Sequence, residues 1–277
     1  MDNIWRRRFA PGYQRLKRPV MAYQFDYPHG SREIWHSHEQ GQLVHALRGV
    51  VRVLTPHGAW TVAPTDAFWI APGVDHELHM VGRVPLRALR IEPDTALWLW
   101  TECRHIAVGP LLRELILAML EDPPEYAPDS TAALCVPLLL RQLQHAPALE
   151  HGKLPLPRDK RLLRVCELLM ETPGSVATMD VLGMQVGASM RTLGRLFKRE
   201  TGLTFGQWRQ QLRLAEAICQ LSLGTPVASV ARELGYATAN AFSTMFHRAL
   251  GAPPQRYIRQ AHAGMRGDDD INTAGRR

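Results

Sequence analysis

Cysteine is scarce: Cys103, Cys135, Cys166 and Cys219 stand singly in 277 residues and never form Cys-x-x-Cys. That excludes a disulfide framework and a zinc finger, and leaves them as small buried apolar residues. Long apolar runs are missing too. The best candidate, residues 106–120, is broken by Arg113 and Glu114, short of the roughly 18 residues that a membrane span needs. No apolar core follows Arg6, Arg7 and Arg8, so no signal peptide is read, and the expectation is a cytoplasmic protein without a membrane partner. With 45% hydrophobic and 21% charged residues the chain is globular rather than disordered, and its length fits about two domains.

Acid is what the back of the chain lacks. Residues 158–260 hold 14 Lys+Arg against 7 Asp+Glu, whereas residues 1–157 balance at 16 of each. Histidine is skewed the other way, with seven of twelve between His29 and His79. A neutral, His-rich front and a basic back imply two domains with different tasks, the second suited to a polyanion. Between them, residues 147–157 carry three prolines and Gly152. The expected division is an effector-sensing domain over 1–150, a linker over 151–157, a DNA-binding domain over 158–260 and an unstructured tail over 261–277.

From Asp159, a possible N-cap, apolar Leu162, Val165, Cys166 and Leu169 mark a helix that Pro173 and Gly174 stop. An internal repeat follows. Met179, Leu182, Gly183, Val186 and Gly187 recur 48 residues later as Val227, Val230, Ala231, Leu234 and Gly235. Leu193, Phe197, Gly202 and Trp208 recur 49 residues later as Phe242, Phe246, Gly251 and Tyr257. Each copy reads as a short helix, a glycine turn, a second helix and a terminating glycine: a helix-turn-helix, present twice. Trp208, Leu212, Ala215 and Cys219 line one face of a long helix joining them.

The second helix of each copy keeps a polar face. In the first, Ser189, Met190, Arg191, Thr192, Arg195, Lys198 and Arg199 remain outside; in the second, Ala239, Asn240, Ser243, Thr244, His247 and Arg248 do, after Thr238. Arginine can donate two hydrogen bonds to guanine, asparagine can pair with adenine, and serine or threonine can meet bases or phosphates. The partner expected from these faces is double-stranded DNA.

Residues 158–260 resemble the DNA-binding domain of the AraC/XylS family of bacterial transcription regulators. The resemblance rests on residues 191–198 (Arg-Thr-Leu-Gly-Arg-Leu-Phe-Lys), on residues 202–208 (Gly-Leu-Thr-Phe-Gly-Gln-Trp), on Val230-Ala231 with Leu234-Gly235-Tyr236, and on Ala241-Phe242 through Phe246 to Gly251, Pro253 and Tyr257. It implies two recognition helices, around 189–199 and 239–249, entering successive major grooves about 34 Å apart. Gly194 and Thr244 depart from the longer polar side chains that other members carry there.

From Gln42 to Ile70 short β-branched runs are punctuated by Gly49, Pro56-His57-Gly58 and Pro64, the pattern of a small antiparallel β structure. His36, His38, Gln42 and His76 stand in and around it as a spaced constellation. If His-x-His lies on a strand, both rings point to one face, Gln42 four residues on shares that face, and the Pro72-Gly73 turn delivers His76. Two alternatives follow: a three-histidine site for zinc, nickel or iron with Gln42 as a weak fourth ligand, or a polar effector pocket without an ion.

These segments resemble the two motifs of the cupin barrel, over roughly residues 25–92. Gln42 stands where a glutamate ligand is usual, Ala71 where proline is and Met80 where asparagine is. The fold class implied is an N-terminal all-β cupin barrel with flanking helices, followed by an all-α domain of two helix-turn-helix units. The arrangement is most similar to the group containing nitroimidazole-resistance repressors. It implies a sequence-specific transcription regulator, repressor or activator, controlled by a small-molecule effector or by a metal. With no carboxylate at position 42 and no marked base, an enzyme is not expected. Leu111, Leu112, Leu115, Ile116, Met119 and Leu120 form one apolar helical face, and Leu134, Leu138, Leu139 and Leu143 another despite Pro137. They cover the barrel or pair two protomers of a homodimer.

Overall fold

The computed structural model describes residues 15–263 apart from 97 and 150. Residues 1–14 and most of the tail over 261–277 lie outside the described residues. The chain divides into two compact units, one built on 15–56 with 62–149, the other on 57–61 with 151–259.

The first unit is a pair of antiparallel sheets. One has the order β1 (Val20–Tyr27), β8 (Val84–Ile91), β3 (Gly41–Ala46), β6 (Asp66–Ile70), β9 (Arg104–Ala107). In the other, β4 (Val50–Thr55), β7 (His76–Val81) and β2 (Arg32–His36) lie in that order. Both faces of β3 are buried, which explains why its sequence does not alternate between apolar and polar residues. Leu43, Ala67, Trp69, Leu89 and Ile91 pack against Leu112, Leu115, Ile116 and Met119 of and just beyond α1 (Pro110–Ala118), and against Leu139 and Leu143 of α2 (Thr131–Gln144). Residues of opposite parity, Gln42, Val44, Phe68, Ile70, Ala88 and Arg90, therefore face the other sheet. Tyr27 of β1 reaches across it, its hydroxyl donating to Glu33 of β2 at 2.5 Å.

The helical stripes thus split. Leu112, Leu115 and Ile116 cover the sheet, while Leu111, Leu134 and Leu138 stay exposed. Pro137 sits inside α2 without ending it, and Ser130 caps that helix by accepting from Ala133 N.

The second unit begins earlier than the expected linker allows. Lys153 and Leu154 form β10, paired with Trp60 and Ala59 of β5 (Gly58–Val62), and Leu154 joins the helical core. The Trp208 indole donates to Pro155 O at 2.8 Å, so residues 153–155 are tied down by sheet and side chain rather than left as a spacer.

Its helices are α3 (Lys160–Glu171), α4 (Met179–Val186), α5 (Met190–Thr201), α6 (Phe205–Ser222), α7 (Val227–Glu233), α8 (Ala239–Leu250) and α9 (Pro254–Ala263). Residues 261–263, read as tail, continue α9. Asp159, Thr178, Ser189, Thr204 and Thr238 are N-caps whose side chains accept from the first turn. Gly202 and Gly251 end α5 and α8 at φ 73° and 71°, as the repeat predicts. Of the four cysteines, Cys166 and Cys219 are buried, whereas Cys103 and Cys135 are partly exposed.

Candidate functional site: a histidine cluster in the barrel and two basic helices

His36 ends β2 and His76 begins β7, directly opposite it in register. His38 is not on a strand. It stands in the turn between β2 and β3, so strand alternation is not what aligns it with Gln42, contrary to the expectation from spacing. The turn is held by Gly73 N, which donates to His38 O at 2.8 Å, and the bulge between Glu33 and His36 re-aims the end of β2. The three rings converge, with centroids 4.3 Å apart for His36 and His76, 5.0 Å for His38 and His76 and 6.0 Å for His36 and His38.

Each ring is oriented through Nδ1, which bonds a backbone carbonyl: Ile34 O for His36 and Val74 O for His76, both at 2.8 Å, and Gln40 O for His38 at 2.6 Å. A neutral imidazole with its proton on Nδ1 presents Nε2 as a lone pair. Burial keeps the rings neutral, pushing His38 down to about 2, His76 to about 3 and His36 below its usual value. Arg90 pushes all three the same way. His36 Nε2 and His76 Nε2 are buried without a hydrogen-bond partner, and one ligand atom from each of the three histidines falls within 4.8 Å of the others.

Gln42, fully buried, places Oε1 2.9 Å from His38 Nε2. With the His38 proton on Nδ1, two lone pairs face each other. Either the amide turns its NH2 to the ring, or both atoms share a cation. Two ligands at right angles, each roughly 2.1 Å from a metal, are about 3 Å apart, so this spacing fits neighbouring donors of one ion. Backbone carbonyls on the far ring nitrogens fix the tautomer that coordination requires.

Two interior residues were missed. Glu33 and Arg90 are each 1% exposed; burial lifts the Glu33 carboxyl to about 8 and lowers Arg90 to about 9. The signal was present: Arg90 occupies a core parity position on β8 with Leu86 and Ala88, where a charge is out of place unless it is used.

In the second unit, Leu193, Leu196 and Phe197 of α5 are buried, and Arg191, Arg195 and Lys198 line one exposed face at steps of four and three. Met190 is exposed beside them. Ser189 and Thr192 are occupied locally: Ser189 Oγ accepts from Thr192 N at 3.2 Å and lies 3.0 Å from Thr192 Oγ1. Lys198 donates to Gly202 O and Arg199 pairs with Glu200, which holds both toward the far end of the helix. On α8, Phe242 and Phe246 go inside while Asn240, Thr244, His247 and Arg248 are exposed; Ala239 and Ser243 are half-buried at its edge.

Two sheets around a polar interior, in one chain with paired helix-turn-helix units bearing basic outer faces, define a DNA-binding transcription regulator with a ligand-binding domain. Residues 18–154 match the family described as "AraC-like ligand binding domain", and residues 182–260 match "Helix-turn-helix domain". The chain is 33% identical over 250 residues to the HTH-type transcriptional regulator NimR of Escherichia coli (strain K12), covering 89% of this chain and 91% of that protein. It is 26% identical over 262 residues to the RCS-specific HTH-type transcriptional activator RclR of the same organism, covering 87% and 90%. A crystal structure of fatty-acid-bound ToxT from Vibrio cholerae strain SCE256 matches 89% of this chain and 97% of its own, at 9% identity and a TM-score of 0.37. The chain belongs to the AraC family of transcription regulators. Among the described residues no helix is long and apolar enough to cross a membrane.

Proposed function

We propose that this regulator takes its effector in the barrel interior, where His36, His38, His76 and Gln42 seat a divalent metal, and that the ligand biases its affinity for DNA. The observation that carries the reading is the convergence of the three histidines, each oriented through Nδ1 by a backbone carbonyl. Zinc, nickel or iron suits such neutral nitrogen donors, and the ion would supply a Lewis-acidic anchor for a ligand. Nothing in this donor set provides a base for turnover, so the barrel binds its ligand and does not convert it. The signal arises because the effector binds one arrangement of the protein more tightly than another.

On the DNA side, Met190, Arg191, Thr192 and Arg195 of α5, after Ser189, and Ala239, Asn240, Ser243 and Thr244 of α8 meet successive major grooves. Lys198, Arg199, His247 and Arg248 serve the phosphates. The protein acts in the cytoplasm as a homodimer, which the exposed Leu111, Leu134 and Leu138 support.

Elemental analysis of untagged protein purified without chelator should find about one ion per chain. The His36→Ala/His38→Ala variant should lose both the ion and the effector response of operator binding. A double variant that responds normally overturns the reading. Adding metal alone, with DNA binding as the readout, separates an ion that is the signal from one that anchors an organic effector.

A further inference from the structure

Glycine is a poor helix former, yet Gly194 stands inside α5, between Leu193 and Arg195. The fold gives no reason for it. Its φ is not left-handed, and a Cβ built there would touch only Met179 Sδ, at 4.0 Å, an ordinary van der Waals contact. Gly183 of α4 shows the contrast, since a Cβ there would lie 2.3 Å from Ala188 O. Gly206 is as free as Gly194, but it stands in the first turn of α6 and on neither recognition helix. Alanine at 194 would add helix propensity and a contact, so what the bare backbone serves lies outside the protein.

The surroundings of Gly194 decide what can enter. Residues four apart form rows on a helix, and one row of α5 reads Met190, Gly194, Lys198, beside a second of Arg191 and Arg195. Helical side chains lean back over the preceding turn, where Lys198 would cover Gly194. Here its Nζ instead donates to Gly202 O at 3.0 Å, toward the other end of the helix. The missing Cβ therefore leaves open room for about one methyl group, with Met179 at its wall and the exposed Met190 a turn away. A glycine inside a helix has its own N–H and C=O engaged, so the gap offers a polar group nothing of its own. Of the groups that a base pair shows in the major groove one is apolar, the C5-methyl of thymine, and it suits both the size of the gap and its thioether wall.

We infer that Gly194 reads a thymine, whose C5-methyl group enters the gap over the bare backbone while Arg191 and Arg195 contact neighbouring base pairs. This deepens the reading of α5 as a base-reading helix and rests on it. A side chain at 194 would fill the gap, hold the helix off the base edge and draw the two arginines out of hydrogen-bond reach.

The test uses the full chain and an operator selected from random-sequence duplexes of the four ordinary bases. The half-site read by α5 is the one whose base preference Arg195→Ala or Arg191→Ala relaxes, and a thymine should stand in it. Replacing that thymine by deoxyuridine removes the methyl and nothing else; wild-type affinity should fall about fourfold, the worth of one buried methyl group. Gly194→Ala should raise Tm and bind the thymine operator at least about fivefold more weakly than the wild type, a larger loss than it shows on random DNA. It should also no longer prefer thymine to deoxyuridine, which places the methyl at residue 194. The inference is overturned if Gly194→Ala binds the operator like the wild type, if it weakens random DNA as much, if it lowers Tm, or if it still discriminates thymine from deoxyuridine as the wild type does. The deoxyuridine comparison needs no variant at 194: if no thymine of that half-site responds, the inference fails while the base-reading role of α5 stands. If Arg191→Ala and Arg195→Ala instead weaken every sequence equally, that role itself fails and the inference with it.

Discussion

Gly194 leaves a gap on the exposed side of α5. A Cβ there would meet nothing nearer than Met179 Sδ at 4.0 Å, and its backbone is helical. Gly194→Ala should therefore stabilise the protein by about 0.5–1 kcal/mol, the helix-propensity difference, read as a rise in Tm. His45 behaves oppositely. It lies on the helix-covered face of β3, bonded through Nδ1 to Asp66 O at 2.8 Å, and burial keeps its pKa at about 4, with Arg113 and Arg87 adding in the same direction. The unfolded chain takes up this proton near pH 6.5 and the folded protein does not, so the stability linked to His45 is complete above pH 6.5 and lost as pH falls toward 4. The loss is on the order of 3 kcal/mol. Denaturant unfolding across that range should give a shallower pH dependence for His45→Asn than for the wild type; identical slopes would show that His45 takes no part. Neither effect was legible in the sequence, because both depend on what the fold sets beside these residues.

Among the elements, the two helix-turn-helix units are fixed to each other by backbone contacts. A Cβ on Gly174, after α3, would lie 2.0 Å from Glu233 O at the end of α7, and one on Gly235, at φ 73°, 2.6 Å from Gly174 O. Arg213 of α6 spans the same place, donating to Pro173 O at 3.2 Å and Ser175 O at 3.1 Å, with its guanidinium 5.6 Å from the centre of the Tyr236 ring. Gly235→Ala should cost roughly 1–3 kcal/mol and shift the register between the half-sites, seen as a footprint weakened over both. On the recognition helices, Arg191→Ala or Arg195→Ala should relax base preference in one half-site by about 1–3 kcal/mol, and Asn240→Ala in the other. Equal weakening of specific and random DNA would make them phosphate contacts. The helices, their caps and their terminating glycines were legible because those signals are local; the glycine contact joins residues 174 and 235, and no window of sequence contains it.

For the whole molecule the charge split sets the behaviour on DNA. Residues 158–260 carry the basic excess, so log K against log salt should be steep, consistent with about six or more phosphate contacts. A flat response in filter-binding or anisotropy titrations would remove the electrostatic part of the reading. If the homodimer forms through α1 and α2, Leu134→Lys/Leu138→Lys should yield monomers by sedimentation, since these residues are 76% and 42% exposed.

The sequence by itself determined the two-part plan, the duplicated helix-turn-helix, the basic faces of α5 and α8, and the histidine constellation, because periodicity, capping residues, charge and motif spacing are written along the chain. Only the tertiary structure decided that His38 meets Gln42 from a turn, that residues 153–155 are held by β5 and Trp208, and that Glu33 and Arg90 share the interior with the histidines. Each depends on strands far apart in sequence being set side by side. Only that pairing takes a charged residue out of water and gives it a chemical task.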